Sequence, residues 1–276
     1  VKAVGLELCP ELGISIPVGK DSLSMRTRWN LDGQTHQVTS PVSLIITAFV
    51  SLDDVRRSLT PQLDASTADT SLILIDLGKG QKRMGGSILA QTLNQAGGEV
   101  PDLDDATDLI HLVAAVNELR AAGQLMAYHD RSDGGLWATV CEMAFAGHVG
   151  VALNLDLLVT EGDGIQDSLA DHGDSKNWSQ QVRARRDELS LKALFNEELG
   201  VVLQVATAQR DLVMQTLRRH GLSKHSHVIG KTRPVNAEIQ RGVGEVSVWR
   251  DAQEIFSASL SDLHKVWDNV SWKIAR

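Results

Sequence analysis

The sequence predicts an α+β fold, a mixed β-sheet covered by helices. Two observations carry this. From residue 72 onward, apolar runs of strand length alternate with stretches of helical periodicity. Hairpin signals intrude on that alternation near both ends, at Asn30-Leu31-Asp32-Gly33 and at Arg250-Asp251, which argues against a doubly wound parallel sheet. The chain has 276 residues and is 42% hydrophobic, enough to bury the core of one large or two modest domains.

The elements follow in order. Residues 22–29 alternate as a strand, Asn30 to Gly33 turn, and a long second strand is expected from Val38 to Leu52. A short helix over 51–59 stops before Pro61. Residues 61–70 are small and polar and read as a linker. Leu72-Ile73-Leu74-Ile75 is a continuous apolar run, suited to a strand buried on both faces. Helices are expected over about 85–96, 105–121 and 136–146, with strands at 125–129 and 149–155. Residues 160–190 are polar and rich in Gly and Asp, and read as a flexible insertion. Strand, helix and strand follow at 200–205, 209–219 and 227–230, then a hairpin over 245–256. The last stretch, 260–276, places Leu263, Val266, Trp267 and Val270 on one helical face.

Composition excludes several function classes. The net charge is −8 and no long basic run occurs, so neither a nucleic-acid nor a membrane-surface role is suggested. Anions must be held locally, by metal ions and backbone donors. No apolar run reaches bilayer-spanning length. The two cysteines, Cys9 and Cys141, make no disulfide framework or zinc cluster, which fits a reduced, cytoplasmic protein. The start, Val1-Lys2-Ala3-Val4, has neither a signal-peptide form nor an initiator methionine, so the chain reads as an excised piece or a processed product.

The chemistry concentrates in one stretch, His129-Asp130-Arg131-Ser132-Asp133-Gly134-Gly135. A carboxylate at a strand end can ligate Mg²⁺, a hydroxyl can meet a phosphate, and glycines let backbone N–H groups approach an anion. Asp130 is the candidate metal ligand and Ser132 the candidate nucleotide contact. Asp133, Gly134 and Gly135 are either phosphate contacts or simply the cap and turn of the next helix. A second stretch, Gly19-Lys20-Asp21-Ser22, is not a P-loop, because Ile14 stands where that motif needs its first glycine and a strand pattern follows. Lys20, Asp21 and Ser22 stay as nucleotide or phosphate candidates, with an ordinary surface loop as the alternative. A third stretch runs from Asp76-Leu77-Gly78-Lys79-Gly80 to Arg83-Met84-Gly85-Gly86-Ser87. It offers Arg83, Gly85 and Gly86 to an anion, or is only a solvated basic loop. Glu197-Glu198 reads as a solvated helix end, and His225-x-His227 as exposed histidines at a strand entrance. No residue is assigned as a catalytic acid, base or nucleophile.

Five motifs in one order carry a resemblance. They are Gly19 to Met25, Asp76 to Gly80, His129 to Leu136, Glu142 to Gly147 and Leu194 to Gly200. Together the chain resembles the phosphoribosylformylglycinamidine synthase family of the large, single-chain type, except over about 160–190. The resemblance implies the following. The parent is an ATP-dependent ligase of purine synthesis, converting formylglycinamide ribonucleotide, glutamine and ATP to the amidine. Residues 1–60 are the tail of the second ATP-binding α/β half-domain. Residues 71–257 are its companion domain, as in the aminoimidazole ribonucleotide synthetase superfamily. Residues 258–276 lead toward a glutaminase domain. Mg²⁺ and ATP or ADP are the cofactors, with Asp130 on the metal and Ser132 on the nucleotide. The remaining metal ligands and the catalytic histidine lie upstream, so the piece alone is expected to be inactive. The partners implied are the other domains of the same polypeptide and small substrates. The family's synthase region is duplicated, so the Asp130 site either turns over or holds a structural nucleotide; another ATP-dependent member of the same superfamily is the alternative parent.

Overall fold

The computed structural model describes residues 1–20, 25–40, 43–67, 69–159, 175–233 and 244–276; for Arg57 and residues 175–181 only the backbone is described. The chain divides into two units, Val1–Ser58 and Leu59–Arg276.

In the first unit a π-helical turn, Lys2–Leu8, runs into α1 (Cys9–Leu12), which Gly13 ends in the left-handed conformation. A hairpin follows, β1 (Arg26–Leu31) with β2 (Gln34–Thr39), closed by Asp32 and Gly33, both at positive φ. That pair is the preferred chemistry of a two-residue hairpin turn. The long second strand expected from Val38 to Leu52 is not formed. β2 ends at Thr39, and residues 43–52 make no regular element. Their apolar side chains are exposed, Ile45 at 89% and Phe49 at 93%. β-propensity needs a neighbouring strand and a packed face to become a strand. The helix expected over 51–59 is a single 3₁₀ turn, Val55–Arg57, capped by the Asp54 carboxylate, which accepts from the Arg56 N–H at 3.0 Å.

The second unit holds β3 (Thr70–Asp76), α2 (Ile88–Thr92), α3 (Ala106–Ala121), β4 (Ala127–Asp130), α4 (Gly135–Gly147), β5 (Gly150–Asn154) and α5 (Asp156–Val159). α6 (Ser175–Phe195), β6 (Gly200–Ala206), α7 (Arg210–Arg219), β7 (Ser226–Arg233), β8 (Glu245–Arg250), β9 (Gln253–Ser259) and α8 (Leu260–Ile274) complete it. The seven strands form one sheet in the order β4-β6-β3-β7-β5-β8-β9. Every neighbouring pair is antiparallel except β5 with β8. This is the mixed sheet with helices that the hairpin signals predict.

The run through β3 is apolar because both its faces are covered. Leu72 and Leu74 join a core with Leu136, Val140 and Met143 of α4 and Leu189 and Ala193 of α6. Ile73 and Ile75 join a second core with Leu112, Ala115 and Leu119 of α3 and Val213 and Leu217 of α7. Strand alternation thus sends successive residues into different layers.

Three further expectations are corrected. The stretch read as a linker is docked at Leu63 and Asp64: Leu63 is 2% exposed, and Gln204 of β6 pairs with the Asp64 backbone, accepting its N–H at 2.8 Å and donating to its carbonyl at 2.9 Å. The helix expected over 85–96 shrinks to α2. The Gly85 and Gly86 N–H groups donate instead to Glu99 and Ala96 carbonyls, and a Cβ on Gly85 would lie 2.5 Å from Glu99 O. Of the tract expected to be flexible, 175–190 is helical, the larger part of α6; residues 160–174 lie outside the described residues. Ion pairs of helical spacing, Arg185–Glu188 at 2.9 Å and Lys192–Glu188 at 2.7 Å, support a helix whose apolar content is low.

Leu63→Ala should lower stability by about 2–5 kcal/mol, as for other large-to-small changes in a packed core. Urea unfolding of the second unit checks this; a slack linker would give no measurable change.

Candidate functional site

β3 and β4 both run antiparallel to β6. Their C-terminal ends therefore lie at the same edge of the sheet as the N-terminal end of β6. Three loops meet there: Leu77–Ser87, Arg131–Gly134 and the Asn196–Leu199 turn.

Asp130 closes β4 on the outermost strand and is exposed. Its Oδ1 accepts from the Tyr128 hydroxyl at 2.6 Å. The two residues are neighbours on one face of the strand, so the phenol fixes the carboxylate's rotamer. Burial first, and the hydrogen bond to Asp130 second, push the Tyr128 phenol well above its ordinary pKa, which keeps it a donor. Sequence reasoning passed over Tyr128, although i, i+2 spacing on a strand places it beside Asp130.

Arg131, also passed over, points the other way and is 8% exposed. One guanidinium nitrogen is 2.5 Å from Asp76 Oδ1 and 3.0 Å from the Leu199 carbonyl, and Nε donates to the Glu198 carbonyl. Its backbone N–H donates to Gly200 O at 2.8 Å. The Asp76 carboxylate also accepts from the N–H groups of Gly78 (3.2 Å) and Gly80 (2.9 Å). Burial raises the Asp76 pKa, but the Arg131 charge and these hydrogen bonds outweigh it and hold the carboxyl below the usual range.

The other charges are also internal. Glu198 is 0% exposed, and Arg83 clamps it: Nε to Oε1 and Nη2 to Oε2, both at 2.7 Å. The other side of Arg83 meets Asp104 at 3.1 Å. Gly78 makes room for this, since a Cβ there would lie 2.6 Å from Glu198 Cγ. Glu197 takes the opposite direction. Its Oε1 accepts from the Ile88 N–H at 2.9 Å and from the Gly134 N–H at 2.8 Å, at the starts of α2 and α4. The expectation of a solvated helix end at Glu197-Glu198 is therefore corrected. His225 is likewise buried, its Nδ1 3.2 Å from the Asp76 carbonyl, not at an exposed strand entrance.

The structure brings Asp130, Ser132, Asp133, Gly134 and Gly135 together on one turn. Asp133 is exposed and makes no cap. Ser132 Oγ is buried with no hydrogen-bond partner among the described residues, while the Ser132 N–H is taken by Thr139 Oγ1 at 3.2 Å. Gly135 packs tightly at φ +69°, and a Cβ there would lie 2.5 Å from Asn196 O. Its N–H donates to Ser132 O. The amides of Gly85, Gly86, Gly134 and Gly135 thus all have partners within the chain, and the anion that meets Gly134 is the Glu197 carboxylate. Arg83 is held by carboxylates and not offered to an open cradle. Lys20 lies in the first unit; Asp21 and Ser22 lie outside the described residues.

Among the described residues no group of three or more His, Cys, Asp or Glu side chains could hold a metal ion. Asp130 offers one exposed hard oxygen donor. That suits Mg²⁺, which takes one or two carboxylates and fills its octahedron with phosphate oxygens and water. Cys141 is no nucleophile here: burial, then the nearby Glu142 charge, pushes its thiol up to about 12.

Asp76→Asn, which leaves Arg131 buried and unpaired, should cost about 3–5 kcal/mol at neutral pH. The Asp76 pKa is depressed on folding, so its contribution is full above the unfolded value of about 3.9 and fades as pH falls through the folded one. The stability gap between wild type and variant, measured by urea unfolding, should therefore narrow on the acid side; a gap independent of pH would contradict the pairing.

Comparison with known proteins agrees with this architecture. Residues 1–51 match the FGAR-AT PurM_N-like domain, and residues 71–240 match the AIR synthase related protein, C-terminal domain. The phosphoribosylformylglycinamidine synthase of Schizosaccharomyces pombe is 42% identical over 99% of this chain, which spans 18% of that protein. Among solved structures, Thermotoga maritima PurL complexed with ATP is 12% identical with a TM-score of 0.45, covering 72% of this chain and 26% of that one. E. coli HypE, a hydrogenase maturation protein, is 20% identical with a TM-score of 0.42, covering 70% and 51%. Over residues 71–240 the chain belongs to the AIR synthase related protein C-terminal domain family, and its whole length is similar to a segment of phosphoribosylformylglycinamidine synthase.

Proposed function

We propose that this chain is the nucleotide-holding segment of a phosphoribosylformylglycinamidine synthase. The whole enzyme is an ATP-dependent ligase of purine synthesis that converts formylglycinamide ribonucleotide, glutamine and ATP to the amidine. The observation that carries this is identity at 42% of positions along essentially the full chain to such a synthase. The Asp130 turn supports it, with an exposed carboxylate and a buried, unpartnered hydroxyl on one strand-to-helix connection.

In this reading Asp130 holds Mg²⁺ and Ser132 Oγ donates to a nucleotide oxygen. Lys20, Asp21 and Ser22 are the phosphate candidates of the preceding half-domain. When bound, Mg²⁺ neutralises phosphoryl charge. The chain's own residues orient and bind. Tyr128 steers the Asp130 carboxylate, Arg131 anchors the turn to Asp76, and Glu197 holds the Gly134 amide. No group of the turn is assigned as general base or nucleophile, and the bond-making groups are expected elsewhere in the polypeptide. Residues 1–60 act as the tail of an ATP-binding half-domain and 71–257 as its companion. The 258–276 helix leads toward a glutaminase domain, the enzyme being cytoplasmic. Among the described residues no helix is long and apolar enough to cross a membrane.

Losing even an outer partner of a metal ligand costs about 10–100-fold in affinity, so Asp130→Ala in the full-length protein should weaken Mg-nucleotide binding by at least about 100-fold. Calorimetric titration with MgADP checks this, alongside turnover per folded molecule. Collapse of both makes the site catalytic; lost binding and stability with unchanged turnover makes it a structural nucleotide site. Unchanged binding sinks the assignment of Asp130.

A further inference from the structure

The seven-stranded sheet ends in β4 on one side and β9 on the other, and the chain treats these edges differently. At β4 the outward Tyr128 N–H donates to Thr60 O at 3.0 Å, so the chain itself meets that edge. β9 is paired to β8 alone among the described residues. The Leu260 N–H donates to Gly244 O at 2.8 Å, which fixes the alternation along β9. Phe256 and Ala258 turn their N–H groups to β8, and Ser257 and Ser259 turn theirs outward. Among the described residues no acceptor meets those two outward groups. Natural edges are guarded by charges, proline or a cover. The run Ile255 to Ser259 has no charged residue and no proline. The register irregularity at Val248 and Trp249 lies before that run and leaves it regular.

A groove of about 560 Å³ lies beside this edge. Trp137 of α4, Leu191 and Phe195 of α6, Leu263 of α8, and Ile255 and Phe256 of β9 line it. Its charged lining residues, Asp187 and Arg250, pair with each other at 2.8 Å, and Arg250 also donates to Ser190 Oγ at 2.9 Å. The groove therefore offers no unmet charge to an ionic ligand and suits apolar side chains. Ile255 and Phe256 are 41% and 44% exposed. The Trp137 ring meets Phe256 edge-on, centroids 5.2 Å apart, which steadies that wall.

We infer that β9 pairs with an extended segment of the same polypeptide, from outside these 276 residues, whose alternate apolar side chains sit in the groove. An open strand edge specifies the backbone of its occupant as extended chain, and a flanking apolar groove selects the side chains at every second position. The source is argued from length. The chain spans 18% of the synthase that it matches at 42% identity, which leaves most of such a polypeptide to supply the strand. The inference thus rests on the reading of this chain as a segment of that larger enzyme.

The test is amide hydrogen exchange of the full-length protein, read residue by residue over β9 by mass spectrometry. The Phe256 and Ala258 amides, turned to β8, report folding. The Ser257 and Ser259 amides should exchange at least about 100-fold more slowly than in an unstructured peptide. Ile255→Lys, which a solvent-exposed edge tolerates, should restore fast exchange at both serines while Phe256 and Ala258 stay slow. If Ile255→Lys unfolds the strand, Ser257→Pro, which removes one outward N–H, decides through the Ser259 amide. Light scattering on dilution separates the sources. A monomer with undiminished protection supports a strand from the same polypeptide; protection lost as a dimer dissociates assigns a second copy and overturns the inference. Fast exchange at both serines in wild type, or wild-type protection in the folded variant, also overturns it. Amidine formation is assayed on the same preparation. Turnover with fast exchange at both serines sinks the inference alone, whereas absence of turnover sinks the reading beneath it.

Discussion

The buried contact between Arg131 and Asp76 is the constraint on which the site depends. It joins the ends of two strands that are not neighbours, since β6 lies between β3 and β4. Arg131 bridges that gap by donating to carbonyls of the turn entering β6 as well as to the carboxylate. Three chain segments are thereby fixed around one guanidinium. A planar group with five donors suits this task, and a lysine could not satisfy the same acceptors. The exposed face of the turn, with Asp130 on it, inherits its position from the interior face.

Much of the fold was legible because it follows from periodicity. The apolar run at Leu72–Ile75 declared a strand covered on both sides, and two separate cores confirm why no polar residue interrupts it. The hairpin at Asp32-Gly33 and the one at Asp251 were equally readable, since left-handed turn residues have few alternatives. α6 was missed for an instructive reason. Its charged residues pair with one another along the helix, so an abundance of polar side chains hid a narrow buried stripe through Leu189, Ala193 and Leu194. The apolar stretch 43–52 failed in the reverse direction. It has strand composition but no partner strand among the described residues of its unit, and composition alone does not create a sheet.

Around the candidate turn, the sequence placed the strand-to-helix connection and misjudged the charges beside it. Asp130 and Ser132 stand where strand-to-helix logic puts them. Arg83, Glu197 and Glu198 look like surface residues in a linear reading, because nothing local shows that distant loops will enclose them. The missing information is tertiary: Glu198 fits only because Gly78 has no side chain. A glycine beside a buried strand end and a glutamate pair beside another were each visible, but their fit to one another was not.

The Glu197-Glu198 dipeptide has a mechanical consequence. Consecutive carboxylates reach in opposite directions, one to the starts of α2 and α4 and the other to Arg83 in the loop after β3. Both hang from the junction where α6 gives way to β6, which Asn196 secures by donating to the Lys192 carbonyl at 2.6 Å. One helix end therefore ties together the turn carrying Asp130 and the loop after β3, which would otherwise meet only through Arg131 and Asp76.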